Sequence, residues 1–233
     1  MSSQPPVYFE AQYVEPRSRL TTFFRLILAI PHFIVAALWA IAAFFAVVAA
    51  WFALVFTGRY PQGLYDFVAG YQRYSTAVYG YTALLTDEYP PFGSDTATYP
   101  VRIVIPPPKA EYSRMKALFR IILAIPVMII TYAMQYVWEI GALLAWFAIV
   151  VLGRQPKGLQ DMTVLGLSYQ QRAYAYLALL TEDWPPFSNP EPALEPGPGP
   201  TSSLPPSAPE APVSSTGSSF APPEPPAGSQ QDV

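Results

Sequence analysis

Two long runs of apolar residues dominate the chain, and a more polar helical stretch follows each of them. Residues 31–57 contain no charge and are long enough to cross a bilayer core as a helix. The second run, residues 126–152, contains one acid, Glu139. A turn with glycine and proline then leads into residues 64–86 or 159–181. Because glycine ends helices and proline begins them, the pattern predicts one helical hairpin in each half.

The two halves are copies of one another, displaced by 95 residues. RLTTFFRLILAIP at residues 19–31 matches RMKALFRIILAIP at residues 114–126. The turn GRYPQGL matches GRQPKGL, and the ending ALLTDEYPPF matches ALLTEDWPPF. No insertion interrupts this series, so we interpret the chain as a tandem duplication.

A short segment rich in strand-forming residues precedes each copy, at residues 7–14 and 99–106. The helical stretch that follows, before Pro31 or Pro126, is either an amphipathic interfacial segment or the start of a long helix kinked at the proline. We divide the chain into an N-terminal segment with a short strand, a first repeat, a linker with a short strand, a second repeat and a tail. The corresponding residues are 1–16, 17–93, 94–112, 113–187 and 188–233.

Composition supports a membrane body with a disordered tail. The chain is 52% hydrophobic and 12% charged, and all 13 Lys and Arg residues precede Trp184. The tail is rich in Pro, Ser, Gly and Ala, which predicts disorder. There is no cysteine and one histidine, so disulfides, thiolate sites and multi-histidine metal sites are excluded within one chain, and we expect no cofactor. The charge balance does not indicate nucleic acid.

The fold class that we predict is an all-α membrane protein with two tandem helical hairpins. If each hairpin spans the membrane twice, most basic residues lie on the side of both termini, which the positive-inside rule places in the cytoplasm. This gives four spans in the cell membrane, with the two repeats parallel about an axis along the membrane normal. The second helix of each hairpin is more polar, and whether it spans or lies in the interface stays open.

Charged pairs on the second helices are candidate site residues. Asp66 and Arg73 are seven residues apart, and Asp161 and Arg172 are eleven apart, so each pair shares a helix face. One interpretation is a path for an ion, a proton or a lipid headgroup through the bundle. The alternative is a salt bridge that holds the hairpins together.

Glu139 is the strongest single candidate, with Gln135 one turn before it. A carboxylate inside an apolar helix is costly unless it is paired, protonated or hydrated. Arg73 and Arg172 are the expected partners. The alternative is a protonated acid, or a hydrogen bond that fixes contacts between subunits.

Arg59, Arg154 and Lys157 lie at the hairpin turns, where they either bind lipid phosphate or act as interface anchors. We expect His32 to be structural. Small residues on the first long helix favour close packing, inside the bundle or against another subunit. They are Ala36, Ala40, Ala42, Ala46, Ala50 and Ala53.

FRLILAIPHFIV, AWFALVFTGRYPQGLYDFVAGY and ALLTDEYPPF together resemble the bacterial membrane-protein family called domain of unknown function 4389. The resemblance covers most of residues 7–92 and, more loosely, residues 102–187. The second copy departs from the pattern with Gln155, Gln160 and Met162, which leaves open whether both copies keep one role. The resemblance implies a multi-pass membrane protein and supplies no activity.

No phosphate-binding loop, nucleophile elbow or catalytic triad is present in the sequence, and we expect no enzyme activity. The leading hypothesis is a scaffold or accessory subunit of a membrane complex. The alternative is a small transporter or lipid-handling protein with a polar path between the repeats. The expected partners are the lipid bilayer and a membrane protein or a second copy of the chain.

Overall fold

A computed structural model describes residues 5–13 and 17–188. The predicted disordered tail lies outside the described residues, apart from Ser188. Two short strands and four helices follow one another along the chain. They are β1 (Tyr8–Ala11), α1 (Arg19–Thr57), α2 (Gln62–Thr82), β2 (Val101–Val104), α3 (Arg114–Leu152) and α4 (Lys157–Leu177).

The long helices α1 and α3 have the same length and the same start and stop signals. Each contains 39 residues. Ser18 and Ser113 cap their N-termini by accepting hydrogen bonds from the third backbone N–H that follows. Gly58 and Gly153 end them in the left-handed conformation, with φ of 72° and 74°. Local sequence chemistry therefore sets both boundaries in both copies.

Each long helix continues through its internal proline, Pro31 or Pro126. The stretch before the proline and the apolar run after it thus form one helix. Of the two arrangements that the sequence left open, the structure therefore has the one long helix and not a separate segment before the proline.

Contacts at both ends show that α1 and α3 run antiparallel. Near the end of α1, Trp51 Nε1 donates a hydrogen bond of 2.9 Å to the carbonyl oxygen of Ala117, near the start of α3. Near the start of α1, the ring of Phe23 lies 6.3 Å from the ring of Trp146, near the end of α3. If the long helices span the membrane, the prediction of parallel repeats is wrong, because spanning helices in parallel repeats run in the same direction.

The antiparallel arrangement also divides the basic residues evenly between the two ends of the long helices. One end has Arg17, Arg19, Arg25, Arg154 and Lys157, and the other has Arg59, Lys109, Arg114, Lys116 and Arg120. The predicted excess of positive charge on the side of the termini therefore does not exist. The argument for cytoplasmic termini loses its basis.

The strands β1 and β2 come from different repeats and pair antiparallel with each other. Both lie inside the segments that the sequence predicted as strands. Tyr8 pairs with Val104 and Ala11 pairs with Val101, so the first residue of each strand faces the last residue of the other. A two-fold axis through the sheet generates this register, and the same axis relates the two antiparallel long helices.

The elements form three layers along this axis. The helices α2 and α4 contact each other and pack on α1 and α3, and the sheet packs on their other side. Packing is tight: a Cβ atom at Gly80 of α2 would lie 2.4 Å from Val101 Cγ1 in β2. Likewise, a Cβ atom at Gly166 of α4 would lie 2.6 Å from the carbonyl oxygen of Met134 in α3. These glycines allow the layers to approach closely.

Among the described helices, α1 and α3 are long and apolar enough to cross a membrane. In the most apolar stretch, 17% of α1 and 22% of α3 is buried within the protein. The more polar helices α2 and α4 are largely buried. Four helices in two repeats are confirmed, whereas the number of spans stays a prediction.

Candidate functional site

A buried arginine on each long helix binds the end of the hairpin that follows it. In the first copy, Arg25 Nη1 donates to the carbonyl oxygens of Tyr81 and Thr86, both at 2.7 Å. Arg25 Nη2 also pairs with Asp87. Its guanidinium carbon lies 4.5 Å from the centre of the Tyr81 ring. One side chain therefore binds a carbonyl oxygen in the last turn of α2 and a second one in the loop that follows.

The second copy repeats the two carbonyl contacts and the contact with a tyrosine ring, but its acid, Glu182, pairs with Lys109 instead of the arginine. Arg120 donates to the carbonyl oxygens of Tyr176 and Thr181, both at 3.0 Å. Its guanidinium lies 3.6 Å above the Tyr176 ring. We call these two groups, centred on Arg25 and Arg120, the arginine clasps.

Each clasp surrounds a turn in a rare backbone conformation. Leu84 and Leu179 both have φ of 63°, which is unfavourable for a residue with a side chain. The backbone N–H of the next residue, Leu85 or Leu180, donates a hydrogen bond of 3.0 Å to the carbonyl oxygen five residues earlier, and this bond closes the turn. The strained turn persists because the clasp and the surrounding packing hold it.

The acid of the second clasp has a perturbed pKa. Burial opposes ionisation of Glu182, but hydrogen bonds from Lys109 Nζ at 3.0 Å and from the Ser113 N–H at 2.7 Å outweigh it. The pKa of Glu182 therefore lies below its ordinary value. This carboxylate also joins the linker, the start of α3 and the end of α4.

Glu139 belongs to a chain of hydrogen bonds between α3 and α4. Gln135 Nε2 donates to Glu139 Oε1 at 2.7 Å, and Gln170 Nε2 donates to Gln135 Oε1 at 3.4 Å. Gln170 also donates to the Tyr174 hydroxyl at 3.1 Å and accepts from Trp138 Nε1 at 2.7 Å. Glu139 and Gln135 thus lie together, as the sequence predicts.

A cavity of about 330 Å³ lies beside this chain, between the middle of α1, one face of α2 and the end of α4. Its polar lining comes from Tyr71, Gln72, Ser75, Tyr79 and Tyr174. Burial raises the pKa of Tyr79 to about 12, with the nearby Tyr174, Tyr71 and Glu139 adding to the shift. The hydroxyl groups are therefore neutral hydrogen-bonding groups at neutral pH.

The expected partners of Glu139 are wrong. Arg172 is buried and donates to the Ser168 carbonyl at 3.0 Å and the Ser188 carbonyl at 2.7 Å. Burial lowers its pKa to about 10, so it remains a cation at neutral pH. Arg73 lines a separate cavity with Asp95. The described ion pairs do not include Glu139.

The predicted charged stripes are not assembled either. Asp66 is exposed and accepts a hydrogen bond of 2.9 Å from Gln62 Nε2 on its own helix. Asp161 is exposed near the start of α4, whereas Arg172 is buried near its end. Neither the interior charged path nor the salt bridge between hairpins is present among the described residues.

The hairpin turns place Arg59, Arg154 and Lys157 at the surface, and all three are exposed. Because α1 and α3 are antiparallel, Arg59 and Arg154 lie at opposite ends of the long helices. The small-residue face of α1 is divided: Ala46 and Ala50 pack in the core, whereas Ala42 is exposed. His32 is buried, with Nδ1 2.8 Å from the Tyr74 hydroxyl.

Exposed apolar side chains cover much of α1 and α3. Buried positions of α1 form one narrow stripe with a spacing of three or four residues over most of the helix, namely Thr22, Arg25, Ala29, His32, Ala43, Ala46, Ala50 and Leu54. Exposed large apolar side chains extend from Leu20 in its first turn to Phe56 in its last. On α3 they extend from Met115 to Leu152. We call this the apolar face.

The family model described as Domain of unknown function (DUF4389) matches the chain twice, over residues 19–94 and 114–189. The two matches cover well over half of the 233 residues. The chain belongs to this family. The searches of curated proteins and of solved structures find no match. The paired match confirms that this DUF4389 protein is a tandem duplication.

Sequence reasoning missed the arginine clasps. Their signal is present in both copies, because Arg25 precedes Asp87 by 62 residues and Arg120 precedes Glu182 by the same number. The cavity was missed for a different reason. Its polar residues are uncharged, and Tyr71 and Gln72 correspond to Gly166 and Leu167 in the second copy. Tyr79 and Tyr174 are equivalent positions, but a single repeated tyrosine among many does not mark a site.

We predict that Arg120→Met lowers the melting temperature of the purified protein by roughly 5–10 °C. The substitution removes two buried hydrogen bonds and leaves the Thr181 carbonyl oxygen without its donor, at a cost of about 1–3 kcal/mol. Thermal unfolding in mild detergent, followed by fluorescence, measures the effect. Arg154→Met, at an exposed position, is the matched control and should change little. Equal melting temperatures for the two variants would show that the clasp is not stabilising.

We also predict a pH dependence from Glu182. Because its folded pKa is depressed, its stabilising contribution is complete above its unfolded pKa of about 4.5 and is lost as pH falls through the folded value. Glu182→Gln should therefore melt below the wild type at pH 7, and the difference should close in acid. Exposed Glu111→Gln is the control. A constant difference between pH 7 and pH 3 would contradict the assignment.

Proposed function

We propose that this DUF4389 protein is an integral membrane protein that acts as a scaffold or accessory subunit, with α1 and α3 immersed in hydrocarbon. One observation carries the proposal: the most apolar helices are the least buried, whereas the polar helices α2 and α4 are largely buried. A water-soluble fold has the opposite distribution. Large exposed apolar surfaces mark membrane or protein interfaces.

A rigid body supports a scaffold role. The two arginine clasps fix the end of each hairpin, and the sheet joins the two repeats. The described residues contain no group of three or more His, Cys, Asp or Glu that could hold a metal ion. The similar contacts of the two clasps hold the end of each hairpin against its long helix. The apolar face remains available for lipid and for a membrane partner.

The cavity beside Glu139 supports a second candidate, a lipid-handling protein. Its wall combines the tyrosine hydroxyls of Tyr71, Tyr79 and Tyr174 with apolar residues of α1, including the exposed Phe44. Such a lining suits a ligand with a polar head and an apolar chain. The Glu139 carboxyl group lies close to Tyr79.

Membrane embedding predicts that the protein stays with the membrane pellet after alkaline carbonate extraction and is released by detergent. Replacing exposed Phe44 and Phe45 with lysine should shift a measurable fraction to the supernatant, because charge is costly in hydrocarbon. Lysine at exposed Thr98, in the loop before β2, is the control. Recovery of the wild type as a monodisperse species in detergent-free buffer would overturn the proposal.

Glu139→Gln separates the two candidates, because it preserves the hydrogen bond with Gln135 and removes the charge. A lipid-handling protein should transfer fluorescent phospholipid between vesicles, and the variant should slow this transfer at least tenfold. Glu111→Gln is the control. Absence of transfer by the wild type would reject lipid handling and leave the scaffold role.

A further inference from the structure

The apolar face is too long for a perpendicular span. At 1.5 Å per residue, each 39-residue helix is about 58 Å long, roughly twice the 30 Å thickness of a bilayer core. Exposed apolar side chains occupy this whole length, from Leu20 to Phe56 on α1. A helix perpendicular to the membrane would leave much of this surface outside the hydrocarbon. The whole apolar face contacts hydrocarbon when the helices lie parallel to the membrane plane.

Charged residues outside the long helices lie beside the midpoint of α1. A Cβ atom at Gly70, in the middle of α2, would lie 3.1 Å from Ser94 Cβ and 3.4 Å from Trp39, at the midpoint of α1. The next residue, Asp95, is exposed and lines a cavity with Arg73. A perpendicular arrangement would place these groups, and an irregular loop, at the centre of the bilayer. Exposed loops and charges are not tolerated there.

The internal symmetry is compatible with this placement. The two-fold axis passes from the long helices through α2 and α4 to the sheet. When the long helices lie in the membrane plane, this axis coincides with the membrane normal, and both repeats meet the lipid in the same way. When they stand upright, one repeat is inverted relative to the other.

The basic residues match this placement. Exposed Arg19 and Arg154 lie at one end of the apolar face, and exposed Arg59 and Arg114 lie at the other. Both ends are therefore equally positive. Helices that lie in the interface place such groups against lipid phosphates.

We propose that α1 and α3 lie in the plane of the membrane within one leaflet, with α2, α4 and the sheet on the aqueous side. The occupant of the apolar face is thus a single lipid leaflet. This inference rests on the proposed membrane embedding and replaces the prediction of four spans. It makes both ends of the long helices accessible from the same compartment.

Because the chain contains no cysteine, single cysteines report accessibility without background. Glu88 and Asp183 are equivalent, exposed positions beside the two arginine clasps, at opposite ends of the long helices. Asp95 reports the middle. Each variant, Glu88→Cys, Asp183→Cys and Asp95→Cys, is treated with a membrane-impermeant maleimide in intact cells and in inverted membrane vesicles. Phe44→Cys, on the apolar face, is the embedded control.

We expect all three loop positions to be labelled in the same preparation, either intact cells or inverted vesicles, and to be labelled at least tenfold less in the other preparation. Labelling of Phe44→Cys should be at least tenfold weaker in both preparations. Labelling of Glu88→Cys and Asp183→Cys from opposite sides would overturn the in-plane arrangement, as would protection of Asp95→Cys that is relieved by denaturation. Thr98→Cys, in the same exposed loop, replaces Asp95→Cys if that variant fails to accumulate. Release of the wild type by carbonate would instead reject membrane embedding itself.

Discussion

An apolar side chain lowers the free energy of a protein in water only if something covers it, and most of the surface of α1 and α3 has no protein cover. Every other feature of the architecture accommodates this constraint. The two helices contact the rest of the chain through one narrow stripe, and the polar helices fill the space behind them. Hydrocarbon is the medium in which such a distribution of residues is stable.

Inside the protein, the main problem is different, because two helices end within the body and leave carbonyl oxygens that need donors. A guanidinium group solves it well, since it offers five donors in a planar fork and stacks on an aromatic ring. Arg25 and Arg120 do both, over Tyr81 and Tyr176. Duplication preserved this solution in each copy, whereas the Glu139 group lies within the second copy and the cavity is formed between the two copies.

The sequence was informative wherever a local signal decides the structure. The glycine and proline of the two turns and the 95-residue displacement predict the hairpins and the repeat, and both are present. The direction of one repeat relative to the other depends on contacts between distant segments, which no local pattern encodes. The partner of Glu139 was misassigned for a different reason: charge suggested an arginine, but Gln135 reaches it from the preceding turn of the same helix. Continuity through Pro31 likewise depends on the surroundings of the helix.

The sheet joins the two copies in a way that has a consequence for a chain with a single copy. Each repeat contributes one strand, and each strand finds its hydrogen-bonding partner only in the other repeat. A protein with a single copy would therefore expose an unpaired edge, and two such chains could complete each other across a symmetry axis. The duplicated chain can then be understood as a homodimer whose subunits became covalently linked, which makes its assembly independent of concentration.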